Sequence, residues 1–114
     1  MKDRKLTNEI KIAIPTNDGE NVFPKMLGLT KEFYVYEIIN NKIEFIEKRK
    51  NPFENTLQHL KTLDVYEIIS DCNIIISQKI GKRGITRLEK RGMKLIFENG
   101  KISHTIKKLM EEIC

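Results

Sequence analysis

The stretch Asn73-Ile74-Ile75-Ile76-Ser77, followed by Gln78-Lys79-Ile80-Gly81-Lys82-Arg83-Gly84, decides the architecture. Its apolar centre is uninterrupted. A strand with no polar alternation is buried on both faces, as in the middle of an α/β sheet. The glycine-containing turn then opens a short helix, which places Ile85 and Leu88 on one side and ends at Gly92. Met93 to Phe97 reads as the next strand, and Asn99-Gly100 turns the chain. Ile102, Ile106, Leu109, Met110 and Ile113 then form the apolar stripe of a closing helix. Strand and helix alternate throughout this half, so its strands run parallel with right-handed crossovers.

Working back towards the N-terminus, Leu57, Leu60, Leu63, Val65, Ile68 and Ile69 predict a helix that starts near Asn55 or Thr56 and runs to about Ser70. Asn51-Pro52 separates it from two strands, 33–39 and 42–48. Asn40-Asn41 joins these as a hairpin, because asparagine tolerates positive φ. The first strand is 10–14, where Ile10, Ile12 and Ile14 alternate with Lys11 and Ala13 and Pro15 ends the run. A turn-rich segment, Thr16-Asn17-Asp18-Gly19-Glu20-Asn21, opens a long connection to about Lys31. Loops of that length inside a compact domain often carry function. The order is β-β-β-α-β-α-β-α. It predicts a three-layer α/β/α domain over residues 10–114 with a five-stranded mixed sheet. Residues 1–9 form a polar extension with no apolar h-region, so they are not read as a signal peptide.

Length and composition bound the rest. A chain of 114 residues suits one domain. With 39% hydrophobic and 32% charged residues it is too apolar for disorder and too charged for a membrane protein. The net charge of +5 fits an anionic ligand, and equally a lysine-rich solvated surface. The two cysteines, Cys72 and Cys114, form no CxxC pair, which excludes a self-contained thiolate cage and argues against a disulfide framework. A reducing cytoplasm fits them best.

Several blocks together resemble the dinitrogenase iron–molybdenum cofactor biosynthesis family, the nitrogenase accessory factor-like domains. They are Lys11-Ile12-Ala13-Ile14-Pro15-Thr16-Asn17-Asp18-Gly19, Phe33-Tyr34-Val35-Tyr36-Glu37, Lys42-Ile43-Glu44-Phe45-Ile46-Glu47 and Asn51-Pro52. Asp71-Cys72-Asn73-Ile74-Ile75-Ile76, Ile80-Gly81, Leu88 and Gly92-Met93-Lys94-Leu95 complete the set. The resemblance implies an RNase H-like topology. It also implies binding or carriage of an iron–sulfur-type cluster, such as the iron–molybdenum cofactor or its precursor, without catalysis and together with cofactor-assembly proteins. Three departures stand out, the first being that the loop after Asn51-Pro52, histidine-rich in many members, is short and offers only His59. The family's His-Phe-Gly-Arg-Ala-like motif reads Met26-Leu27-Gly28-Leu29-Thr30, which keeps only Gly28. Its Gly-Gly-Ile-Gly-Pro loop reads Gln78-Lys79-Ile80-Gly81-Lys82.

The candidate cofactor-binding residues are Lys79, Gly81, Lys82, Arg83 and Gly28. A loop that opens a helix presents free N–H groups and a partial positive charge to an anion, and arginine clasps carboxylate or phosphate with two hydrogen bonds. The competing reading is a solvated basic loop. The candidate metal ligands are His59, Met26 and Cys72, through imidazole, thioether and thiolate. The competing readings are an exposed helix histidine, a packing methionine and a small buried hydrophobe. A metal nuclease is rejected, since Glu44 and Glu47 are expected on opposite faces of one strand and the first and fourth strands hold no acid. Scarce surface aromatics place nucleic-acid binding last. The expectation is therefore a cytoplasmic, non-enzymatic cluster carrier, monomeric or weakly dimeric and away from membranes. The alternative is a metal-free interaction or regulatory domain of the same fold.

Overall fold

A computed structural model describes residues 10–52 and 65–113. The five strands are β1 Ile10–Thr16, β2 Glu32–Ile39, β3 Lys42–Lys50, β4 Ile74–Ser77 and β5 Lys94–Phe97. Two helices follow the strands of the second half, α1 Lys82–Lys90 and α2 Ile102–Ile113. Residues 65–68 are helical, and Leu27–Leu29 make one 3₁₀ turn in the long connection. The beginning of the helix expected between residues 55 and 70 lies outside the described residues, as do the polar extension and His59.

The sheet order is β3-β2-β1-β4-β5. β1 pairs antiparallel with β2 and parallel with β4, and β4 pairs parallel with β5. Every residue of β4 is buried, as its apolar run requires. Asn40 and Asn41 both take positive φ, 54° and 66°, which is the hairpin turn their side chains favour. Alternation sorts the core into two layers. Ile12, Ile14, Ile74 and Ile76 pack with Ile102 and Leu109 of α2. Ala13, Phe33, Val35 and Ile75 pack on the other face with Val65, Tyr66, Ile69 and Leu88. The sheet is thus covered on both sides, as a three-layer domain requires.

Two strand ends run past the sequence reading, and one pairing shifts register. β1 continues through Pro15 to Thr16, because Pro15 still pairs with Phe33 and its carbonyl accepts the Phe23 N–H at 2.8 Å. β3 runs on to Lys50, opposite Glu32. Between Val35 and Tyr36 the β2–β3 register shifts, so Glu47 lies opposite Val35 while Phe45 lies opposite Tyr36. Ile46 is the extra residue of a bulge. The bulge inverts the parity on which the Glu44–Glu47 argument rests. Glu44 pairs with Glu37 and Glu47 with Val35, so both glutamates belong to the same face. They do not lie on opposite faces.

Candidate functional site

Three strands, β1, β4 and β5, point their C-terminal ends in one direction, and the long connection folds across that end. Its course is set by backbone hydrogen bonds. Val22 N–H donates to the Gly100 carbonyl and Ile102 N–H to the Glu20 carbonyl, both at 2.8 Å. Further on, Met26 bridges to Lys79 and Leu27 N–H donates to the Lys79 carbonyl at 3.0 Å. The connection is braced within itself as well. The Asp18 carboxylate accepts the N–H groups of Glu20 and Asn21 and the Asn21 side-chain amide, which hold its pKa well below the usual carboxylate range. The Asn17 side chain accepts Lys31 N–H at 2.8 Å.

Asn51 is the deepest of these pins. It is fully buried, and its Nδ2 donates to the Gly28 carbonyl at 3.1 Å and the Thr30 carbonyl at 2.8 Å. Its own N–H donates to the Lys31 carbonyl. The asparagine of the Asn-Pro pair therefore ties the end of β3 to the loop that carries Met26 and Gly28.

The second loop is short. The Ser77 hydroxyl donates to the Lys79 carbonyl at 3.2 Å, and Gly81 is the N-cap of α1. Among the described residues no side chain caps this helix start, and its first turn holds no acid. Lys82 and Arg83 occupy that turn instead and are exposed. Cations there oppose the helix dipole, and no side chain among the described residues satisfies the first-turn N–H groups, an arrangement that favours an anion. Gly28 and Gly81 both open onto free space and neither has positive φ. Packing does not demand glycine at either position; what the missing side chain leaves is room.

The structure thus brings Met26 beside Lys79 and places Gly81, Lys82 and Arg83 immediately beyond, with Gly28 on the adjoining turn. Cys72 is not part of this group. It precedes β4, whereas Lys79 follows it, so the two lie at opposite ends of the strand, roughly 20 Å apart at strand rise. Cys72 is 4% exposed, and burial together with the Asp71 charge pushes its thiol pKa up to about 12. That environment makes it a neutral apolar group rather than a thiolate ligand.

The Asp71-Cys72-Asn73 block has a different task. Arg49 of β3 forks onto both Asp71 oxygens at 2.7 and 3.0 Å and also donates to the Ile68 carbonyl. Lys11 reaches Asp71 at 3.3 Å, and the Asn73 side chain accepts Lys11 N–H at 2.8 Å. Together these bonds fasten the start of β1 and the entry to β4 to Arg49, which reaches across from the loop end of β3.

One contact in α1 went unnoticed in the sequence. A Cβ on Gly84 would overlap the Tyr66 hydroxyl oxygen and stand 2.8 Å from Tyr66 Cζ. Gly84 is therefore the residue that lets Tyr66, 4% exposed, pass beneath α1. The available signal was a glycine inside a helix, where it costs about 1 kcal/mol against alanine. No group of three His, Cys, Asp or Glu side chains among the described residues is arranged to hold a metal ion. Nor is any helix among them long and apolar enough to cross a membrane.

Fold and loops define a mixed-sheet α/β domain that presents a basic, open loop end beyond its parallel strands. The chain belongs to the dinitrogenase iron–molybdenum cofactor family, whose model matches residues 8–112. No curated protein matches the chain in sequence. Among solved structures it is similar to PH0822, with 22% identity and a TM-score of 0.73 over 90% of this chain and 92% of that one. It is also similar to the apo form of the orange protein of Desulfovibrio gigas, with 15% identity and a TM-score of 0.71 over 90% and 88% of the two chains. A third structure, from Methanocaldococcus jannaschii, aligns with a TM-score of 0.65 at 15% identity over 91% and 90%. At these identities the likeness establishes the shared fold. The family is linked to iron–molybdenum cofactor biosynthesis.

Proposed function

We propose that the chain is a non-catalytic binding protein for an anionic iron–sulfur-type cluster, the iron–molybdenum cofactor or a precursor, handed between cofactor-assembly proteins in the cytoplasm. The observation that carries this reading is the uncapped start of α1, with Lys82 and Arg83 in its first turn and Lys79 beside Met26. A negatively charged cluster placed there meets free N–H groups, two ammonium groups and a guanidinium. Met26, 46% exposed, offers a thioether to a soft metal. His59 is the remaining ligand candidate. The described residues supply charge and hydrogen bonds rather than a coordinating cage, which suits cargo that is carried and released. Family membership and the fold shared with the orange protein support the same direction.

The metal-free interaction domain is the second reading. It is favoured by Met26 and Leu29 at positions where the family motif has histidine and arginine. Anaerobic titration with a preformed iron–sulfur cluster, followed by visible absorption, separates the two. A saturable charge-transfer band that weakens in the Lys82→Gln/Arg83→Gln variant and in His59→Ala supports the carrier. An unchanged spectrum in all three proteins supports the interaction domain.

A further inference from the structure

Aromatic residues are few in this chain, five phenylalanines and three tyrosines, yet the fold gathers two of the tyrosines and one phenylalanine on one sheet face. Tyr34 and Tyr36 alternate onto the same side of β2, and Phe45 of β3 lies opposite Tyr36. The Phe45 ring centroid is 5.1 Å from that of Tyr34 and 5.5 Å from that of Tyr36, with the ring planes inclined at 50° and 68°. Tilted and edge contacts of this kind hold a ring in one orientation. Phe45 is nevertheless 48% exposed, so a pre-oriented ring is presented to solvent.

The Ile46 bulge decides which charges share that face. Beyond it, Lys48 lies opposite Tyr34 and Lys50 opposite Glu32, on the aromatic side. Glu37, Glu44 and Glu47 fall on the other side, with Val35. Without the extra residue, Glu47 would stand beside Phe45 on the aromatic side and Lys48 would leave it. Lys48 and Lys50 are exposed, and among the described residues neither has an ion-pair partner. The acids at this end are Glu32, half-buried opposite Lys50, and Asp18 and Glu20, which flank the Gly19 that lies against the Tyr34 hydroxyl. The Asp18 carboxylate is already engaged by N–H donors of its own loop. Along β3 the neighbours of Phe45 on its own side are Ile43 and Lys48.

We propose that this face of the β2–β3 hairpin binds single-stranded nucleic acid, with a base stacked on Phe45 between the two tyrosines and the Lys48 and Lys50 ammonium groups on the phosphates. Rings on neighbouring strands of a sheet stack bases whatever their sequence, and cations beside them track the backbone. Lys48 and Lys50 are two residues apart on one strand, roughly 7 Å, a separation that suits successive phosphates of an extended strand. A partner helix calls for a groove of aliphatic side chains, whereas rings standing on a sheet call for a planar ligand. A second copy would bring the same lysines against their own image. The hairpin lies across β1 from β4 and α1, so this face shares no residue with the cluster site.

The test uses the metal-free full chain and a twelve-nucleotide oligouridine at low ionic strength. The chain has no tryptophan, so Phe45→Trp introduces a single indole at the proposed stacking position, and saturable quenching of its fluorescence by the strand is expected. Anisotropy of the labelled strand then reads affinity. Phe45→Leu, which keeps an apolar side chain and removes the ring, weakens binding about tenfold. Lys48→Gln lowers the slope of log affinity against log salt by about 0.7. Lys90→Gln on α1 leaves affinity and slope unchanged. Absence of quenching, binding indifferent to Phe45→Leu, or an equal change in Lys90→Gln would overturn the proposal. Displacement of the strand by a twelve-residue oligoglutamate at matched charge would overturn it in favour of an acidic protein segment. An indole emission that shifts with protein concentration alone would overturn it in favour of a second copy. No cluster takes part, so failure here leaves the carrier reading untouched, and failure of cluster uptake leaves this face untouched.

Discussion

Substituting Gly84 by alanine sets two effects of opposite sign against each other. Alanine is favoured over glycine in a helix interior by about 1 kcal/mol, so on propensity alone the variant should be more stable. The new Cβ, however, would overlap the Tyr66 hydroxyl oxygen and stand 2.8 Å from Tyr66 Cζ and 3.0 Å from Ile80 Cγ2. Tyr66 and Ile80 are 4% and 7% exposed, so neither can swing clear into solvent. Overpacking of this kind costs about 1–3 kcal/mol. With three atoms affected, the upper half of that range applies, and a net loss of about 1–2 kcal/mol is expected. For a domain of this size that lowers Tm by about 5–10 °C. Urea denaturation followed by circular dichroism reads the free energy directly. Gly28→Ala is the control, since a Cβ there meets nothing within 4 Å, and it should change stability by less than about 0.5 kcal/mol. A double-mutant cycle completes the test. Tyr66→Phe removes the oxygen but leaves Cζ in place, so Gly84→Ala should cost about 1 kcal/mol less in that background. A Gly84→Ala protein more stable than its parent, with effects additive to Tyr66→Phe, would refute the reasoning.

Other expectations follow from the pins and ion pairs. Asn51→Ala leaves the Gly28 and Thr30 carbonyls without their buried donor and should lower stability by about 2–3 kcal/mol in urea denaturation. The pKa of Asp71 is depressed by Arg49 first and then Lys11, so its contribution is present above the unfolded carboxylate pKa, about 4, and is lost as pH falls. Acid unfolding should therefore show a steep limb below that pH, and Asp71→Asn should flatten it. In a Cys114→Ser background, Cys72 should react with a disulfide reagent at pH 8 at least about 100-fold more slowly than free cysteine, because its thiol is buried and neutral.

Much of the sheet is legible in local pattern. The isoleucine alternation of residues 10–14, the unbroken run at 74–76 and the Asn40-Asn41 turn each report a period or a backbone preference that depends on neighbouring residues only. What local pattern cannot carry is pairing over distance. Pro15 reads as a terminator, yet the strand continues, because what matters is whether a partner needs its missing N–H. The Ile46 bulge is set by register against β2, so counting alternate residues assigns Glu44 and Glu47 to different faces when they share one. Asn51 and Gly84 owe their roles to Gly28, Thr30 and Tyr66, all distant in sequence. The basic loop at 79–84 was readable as a helix start with the wrong charge for its dipole. Cys72 qualifies as a ligand candidate by its chemistry alone, although strand order sets it and the loop at opposite ends of β4.

The central claim is that the loop end of the sheet receives an anionic cluster. Anaerobic titration of the full chain with a preformed iron–sulfur cluster, read by visible absorption and by metal content after gel filtration, tests it most directly. The account predicts saturable, near-stoichiometric uptake that falls about tenfold or more in affinity when Lys82 and Arg83 are both changed to glutamine. Metal-free protein after filtration, or uptake indifferent to those two charges, would contradict it.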